Sequence, residues 1–138
     1  MDLSRILSID FGKVRIGLAI SDPLKIIARP LLVLENEGKN SLRKISEIIS
    51  DNLVEKVVIG LPLNLEGEET VRSSEVRAFA SELQEMTDVQ IEFWDERYSS
   101  VEAEEVLKEL GYTVKEAKNN VDKIAAAVIL RNYLETTK

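Results

Sequence analysis

The stretch Ser8-Ile9-Asp10-Phe11-Gly12-Lys13-Val14-Arg15-Ile16-Gly17-Leu18-Ala19-Ile20-Ser21 decides how this chain folds. Residues 5 to 10 form one run that ends on Asp10. Residues 14 to 21 alternate Val14, Ile16, Leu18 and Ile20 with Arg15, Gly17, Ala19 and Ser21. A period of two with one greasy and one small face is the pattern of a half-buried strand. Gly12-Lys13 supplies a tight turn between the two runs, so they pair antiparallel and leave Asp10 at the end of the first.

Asp22-Pro23 punctuates the chain, and Pro30 to Leu34 reads as a third strand that completes an antiparallel meander. From residue 40 the period lengthens, with Leu42, Ile45, Ile48, Ile49 and Leu53 on one helical face. Lys56 to Gly60 is a short buried strand stopped by Gly60-Leu61-Pro62. A loop over Leu63 to Gly67 leads to a helix with a core stripe of Val76, Phe79, Ala80, Leu83 and Met86, and Val89 to Trp94 is the fifth strand. Ser99-Ser100-Val101-Glu102 has capping-box spacing and starts a helix, with Ala103, Val106, Leu107 and Leu110, that stops at Gly111. Tyr112 to Asn119 reads as a polar connection. The last helix runs from about Asn120 to Leu134, with Asn119 and Asn120 as its caps.

Helical crossovers between strands 3, 4 and 5 are right-handed by default and make strands 1, 4 and 5 mutually parallel, in the sheet order 3-2-1-4-5. The expected fold is therefore α/β, a five-stranded mixed sheet flanked by helices. In open sheets of this kind ligands bind beyond the carboxyl ends of the strands. Asp10 and the pair Asp95-Glu96, which ends strand 5, converge there. A third acid, Asp122, opens the last helix, and the alanines at 125, 126 and 127 let that helix lie close to the sheet.

Composition narrows the chemistry. The 138 residues, 44% of them hydrophobic, suit a single domain over 1–138. There is no histidine and no cysteine, which excludes imidazole triads, thiol nucleophiles and histidine or thiolate metal sites. Met1 to Arg5 is too short and polar to lead a signal peptide, and no apolar run nears the roughly 20 residues that span a bilayer, so a cytoplasmic protein is expected. Lys plus Arg number 18 against 25 Asp plus Glu, a net charge of -7. That balance argues against tight non-specific binding to long duplex DNA and leaves room for a local basic rim with bound cations.

Each acid has a plainer reading beside the functional one. Asp10 could serve only its turn, Asp95-Glu96 could be a solvated strand exit, and Asp122 could be a helix N-terminal acid worth at most about 1 kcal/mol from the dipole. Gathered at a partly desolvated sheet edge, however, carboxylates repel one another and are usually compensated by a cation, with magnesium the natural candidate. Lys13, Arg15, Asn64, Arg72 and Arg97 could form a polar rim that holds phosphates, with the Gly60 to Gly67 loop approaching the backbone of a nucleic acid. Trp94, Phe79 and Phe93 sit at core spacing.

The set Ile9-Asp10-Phe11-Gly12-Lys13-Val14-Arg15-Ile16-Gly17, Ser21-Asp22, Gly60-Leu61-Pro62-Leu63-Asn64, Arg72 with Phe79-Ala80, Asp95-Glu96-Arg97, and Val121-Asp122 with Ala125-Ala126, resembles the YqgF/RuvX family of the ribonuclease H-like superfamily. Its members include Holliday junction resolvases and pre-16S rRNA processing nucleases. The resemblance implies a hydrolase that cleaves phosphodiesters with two Mg2+ or Mn2+ ions, one activating water and one stabilising the leaving 3′-oxygen. Asp10 would bridge both ions, with Glu96 and Asp122 each completing one coordination sphere. Strand alternation lets only one of Asp95 and Glu96 face the site; the family favours Glu96, with Asp95 as the alternative. Many relatives of this fold carry an acid at the end of strand 4, where this chain has Gly60-Leu61-Pro62, and that departure shifts the burden to strand 5.

The substrate implied is structured RNA at the 5′ end of precursor 16S rRNA, on a ribosomal particle, or branched DNA at a four-way junction. The acidic balance favours the RNA. Two other classes stay open: a catalytically weak nucleic-acid-binding module, and an ATPase remnant, since Asp-x-Gly-x-x-x-x-Gly also occurs in the phosphate loops of actin-like and sugar-kinase ATPases. The latter need a second, duplicated domain. The oligomeric state, monomer or weak dimer, and the need for a partner protein stay open too.

Overall fold

The hairpin expected at Gly12-Lys13 is present. In the computed structural model, which describes residues 2–97 and 102–137, β1 (Arg5–Phe11) and β2 (Arg15–Ser21) pair antiparallel, with Asp10 opposite Gly17. β3 (Ala28–Glu35) extends the meander. β4 (Val54–Leu61) and β5 (Gln90–Asp95) add in parallel on the other side of β1, which gives the order β3-β2-β1-β4-β5. This is the order that right-handed crossovers imply.

Two helices, α1 (Lys39–Asp51) and α2 (Val71–Gln84), cover one face of the sheet. Leu7, Ile9, Ile16, Leu18 and Ile59 meet Leu42, Ile45, Val76 and Leu83 there. The other face is covered by α5 (Val121–Thr136), with Val106 of α3 (Ala103–Leu110) beside it. Ile6, Ala19 and Val58 meet Ala126, Ala127, Leu130 and Leu134 on that side.

β2 is consequently buried on both faces from Ile16 to Ser21, and the half-buried reading of it is corrected. Its small residues face a helix. A Cβ on Gly17 would lie 2.1 Å from the Asp122 main-chain oxygen, so only glycine admits the start of α5 at this distance. Ser8 fixes the next turn, its Oγ donating to the Ala126 carbonyl at 2.6 Å in a buried hydrogen bond. A short hydroxyl on β1 and a glycine on β2 thus set the depth to which α5 sinks.

Other differences are local. Met86 does not belong to the core stripe of α2: the helix ends at Gln84, whose Nε2 donates to the Thr87 and Val89 carbonyls, and Met86 is exposed. The connection over 112–119 contains α4 (Val114–Asn119), started by a capping box in which Thr113 and Glu116 satisfy each other's backbone N–H groups. Of the box read at Ser99 to Glu102, residues 99–101 lie outside the described residues, and α3 begins after Glu102 with no side-chain cap. Gly111 ends α3 in the left-handed conformation, φ 71°. Asn119 is the last residue of α4, and Asn120 stands at the N-cap position of α5 as expected but makes no side-chain cap hydrogen bond, its Nδ2 donating back to the Glu116 carbonyl. Among the described residues no helix is long and apolar enough to cross a membrane.

Candidate active site

The carboxyl ends of β1, β4 and β5 coincide, Ile9 pairing with Ile59, and Leu61 with Asp95. Beyond this edge the chain supplies acids from three elements. Asp10 comes from the end of β1. Glu96 follows β5, its N–H donating to the Leu61 carbonyl at 3.3 Å, and its side chain leans over Gly60, where a Cβ would lie 2.9 Å from Oε1. The missing side chain at the end of β4, read above as a lost acid, is therefore also the space Glu96 uses. Asp122 arrives from the first turn of α5, held against Gly17.

Strand alternation separates Asp95, the last residue of β5, from Glu96, which follows it. Ile91 and Phe93 pack into the core under α1 and α2, and Trp94 into the core under α5. Asp95 is taken up by Arg97, whose N–H donates to Oδ1 at 3.0 Å and whose Nη2 donates to Oδ2 at 2.7 Å. This pairing holds the Asp95 carboxyl below its ordinary range. Glu96 is the one that faces Asp10.

The electrostatics record the convergence. Burial raises Asp10 from 3.8 to about 6, with the negative charges of Glu96 and Asp122 adding to the shift and the Arg72 cation opposing it. Burial also raises Glu96, again with Arg72 opposing and Asp95 adding. Asp122 is engaged by Arg15, Nε donating to Oδ2 at 2.9 Å. As they stand, no three acidic side chains among the described residues are placed to hold an ion. Their chemistry nonetheless fits one: all the donors are hard carboxylate oxygens, which suit Mg2+ or Mn2+, and a cation would relieve the repulsion loaded on Asp10.

The polar rim divides. Lys13 pairs with Glu75 at 3.2 Å on the outer side of the cleft lined by Phe11, Gly12, Arg72 and Val76. Arg97 is committed to Asp95 and to the Leu65 carbonyl. Asn64 organises its own loop, Oδ1 accepting from the Glu66 and Glu68 N–H groups. Arg72, exposed in the first turn of α2, makes no ion pair among the described residues, and its charge reaches both Asp10 and Glu96. The loop glycines are packed by the chain itself. Gly60 is packed by Glu96 and Ile129, and Gly67, at φ 83°, lies against the Arg97 guanidinium, so each makes room for a side chain of this protein.

The raised Asp10 has a thermodynamic consequence in the metal-free protein. Its folded value lies above its unfolded one, so the folded state binds the extra proton between about pH 4 and 6; stability is fullest below that window and is lost as pH rises through it. A displacement of about 2 pH units corresponds to about 3 kcal/mol. In EDTA, Asp10→Asn is expected to melt at a higher temperature than wild type at about pH 7, with the gap closing toward about pH 4. Melting curves across this range check it; a gap independent of pH would mean that Asp10 titrates normally.

A five-stranded sheet in this order, covered by helices on both faces and with acids gathered beyond the ends of β1 and β5, is a ribonuclease H-like fold. A model of the RuvX family, described as Holliday junction resolvase, matches residues 4–136, and the chain belongs to that family. It is 45% identical over 131 residues to a protein of Maridesulfovibrio salexigens named "Putative pre-16S rRNA nuclease", covering 94% of this chain and 97% of that one. A protein of the same name from Protochlamydia amoebophila is 43% identical over 141 residues, 96% and 94% of the two chains. Among solved structures, Thermus thermophilus RuvC in complex with a Holliday junction substrate superimposes with a TM-score of 0.68 at 16% identity, covering 97% of this chain and 95% of that one. At that identity the likeness speaks for the fold.

Proposed function

We propose that this protein is a metal-dependent endonuclease that hydrolyses phosphodiester bonds in structured RNA, at the 5′ end of precursor 16S rRNA in the cytoplasm. The observation that carries the reading is the convergence of Asp10, Glu96 and Asp122 at the carboxyl edge of the sheet, with Asp10 buried enough to be held at about 6. Asp10, which feels the charges of both other acids, would hold the metal together with Glu96 and Asp122. When bound, Mg2+ or Mn2+ would supply acidification of an attacking water and positive charge at the leaving 3′-oxygen. The protein's own contribution is positional. The partly buried end of β1 limits the access of bulk water to Asp10, and Arg72 offers a guanidinium to a phosphate brought against the acids. The names of the relatives support the RNA substrate.

A second reading, resolution of four-way DNA junctions, is favoured by the family description and by the junction-bound RuvC of like fold. Labelled precursor rRNA and a synthetic four-way junction, each incubated with the protein in Mg2+, Mn2+ or EDTA, separate the two. Metal-dependent cutting of the RNA is the expected outcome. Cutting of the junction alone would give the second reading, and cutting of neither would leave a binding module.

Substrate binding should weaken only gently with salt. Three of the four cationic rim residues are already paired with acids, so few are free to release counterions from phosphates. A slope of log affinity on log salt of about -3 is expected, and Arg72→Glu should lower the affinity at every salt concentration. A slope near about -10, as for strongly basic repressors, would reveal a large cationic surface elsewhere.

A further inference from the structure

Arg15 and Gly17 lie two residues apart on β2 and so point to the same face of the sheet. Both meet Asp122. Gly17 touches its main chain, and Arg15 holds its side chain through a single 2.9 Å contact from Nε to Oδ2. The Arg15 side chain is 55% exposed and that of Asp122 37%, so this ion pair is of the weak, solvent-screened kind. It is nevertheless the ion pair that Asp122 makes among the described residues, and it joins one acid of the cleft to one cation of its rim.

We infer that Arg15 is a stand-in counter-ion for Asp122, displaced when a divalent cation arrives and thereby released to take a phosphate of the nucleic acid. This rests on the metal-dependent nuclease reading. A guanidinium and a divalent cation drawn to one carboxylate repel each other strongly at a few ångströms, and a mostly exposed side chain has solvent to move into. The free protein thus keeps Asp122 paired and Arg15 occupied. Cation binding frees a positive charge beside the acids at the moment the site becomes able to cut. By linkage, the cation should strengthen nucleic-acid binding, and nucleic acid should strengthen cation binding to the same degree.

The test is a double-mutant cycle of wild type, Arg15→Gln, Asp122→Asn and the double variant, with Mn2+ binding followed by titration calorimetry. Removing a competitor should tighten the binding of Mn2+ by about two- to fivefold in Arg15→Gln. The same substitution in the Asp122→Asn background should have a smaller effect, since only the general loss of one positive charge remains. A second arm measures affinity for a stem-loop RNA in Ca2+ and in EDTA: the gain from Ca2+ should be large in wild type and reduced in Arg15→Gln. Unchanged or weaker Mn2+ binding in Arg15→Gln, or an equal effect in both backgrounds, would overturn the exchange. If instead Asp122→Asn leaves Mn2+ binding untouched, it is the assignment of Asp122 to the metal site that fails.

Discussion

Asp10→Asn, Glu96→Gln and Asp122→Asn should each reduce cleavage by at least about 100-fold while substrate binding measured in EDTA does not fall, because on the proposed reading each removes a metal donor without removing a phosphate contact. The three come from β1, the turn after β5 and the start of α5, and Asp10 feels the charges of both others. Asp95→Asn should be much milder. Its carboxylate serves Arg97, and its loss would slacken the hold of that arginine on the Leu65 carbonyl rather than empty the site. Single-turnover cleavage of labelled precursor rRNA checks all four. An inactive Asp95→Asn beside an active Glu96→Gln would reverse the assignment within β5.

Gly17→Ala should be the most disruptive methyl among the six glycines of the chain. The added carbon would sit 2.1 Å from the Asp122 carbonyl oxygen and 2.6 Å from its carbon, main-chain atoms at the start of a helix that cannot swing aside as a side chain would. Overpacking of this kind costs about 3 kcal/mol, a drop in melting temperature of roughly 10 °C for a chain of this size. The first turn of α5 must lift from β2 to accommodate it. The stabilisation expected from Mg2+ on the proposed reading, about 2.7 kcal/mol at 100 times the dissociation constant, should shrink because lifting the start of α5 draws Asp122 away from the other acids. Thermal melts with and without Mg2+ decide the matter, and a change below about 0.5 kcal/mol would mean that α5 does not rest on Gly17.

These two residues also show where the sequence was legible. The alternation over residues 14 to 21 placed β2, and the turn before it its antiparallel pairing with β1, because a period of two has only one structural meaning at that length. It did not show that both faces are buried: Gly17, Ala19 and Ser21 read as the small side of a half-exposed strand until α5 is laid on them. A glycine inside a strand does signal close backbone approach. At Gly17 that approach is made by the main chain of Asp122, and in the loop read as approaching phosphate Gly60 and Gly67 are packed by Glu96 and Arg97.

The three acids were each visible as the end of an element, and alternation along β5 left the choice between Asp95 and Glu96 to the family resemblance. Sequence is silent on pairing across the fold, so Arg15, Lys13 and Arg97 read as one free rim although each is held by an acid. Local signals were sometimes present and passed over. Thr113 and Glu116 have the capping-box spacing that starts α4, in a stretch whose polarity suggested only a connection.

Anomalous diffraction from a crystal soaked in Mn2+ addresses the central claim most directly, because it locates the cation without reference to activity. The expected result is manganese density bounded by the carboxylates of Asp10, Glu96 and Asp122, lost in Asp10→Asn. Manganese bound elsewhere, with these three carboxylates unliganded at saturating metal, would contradict the assignment of the site.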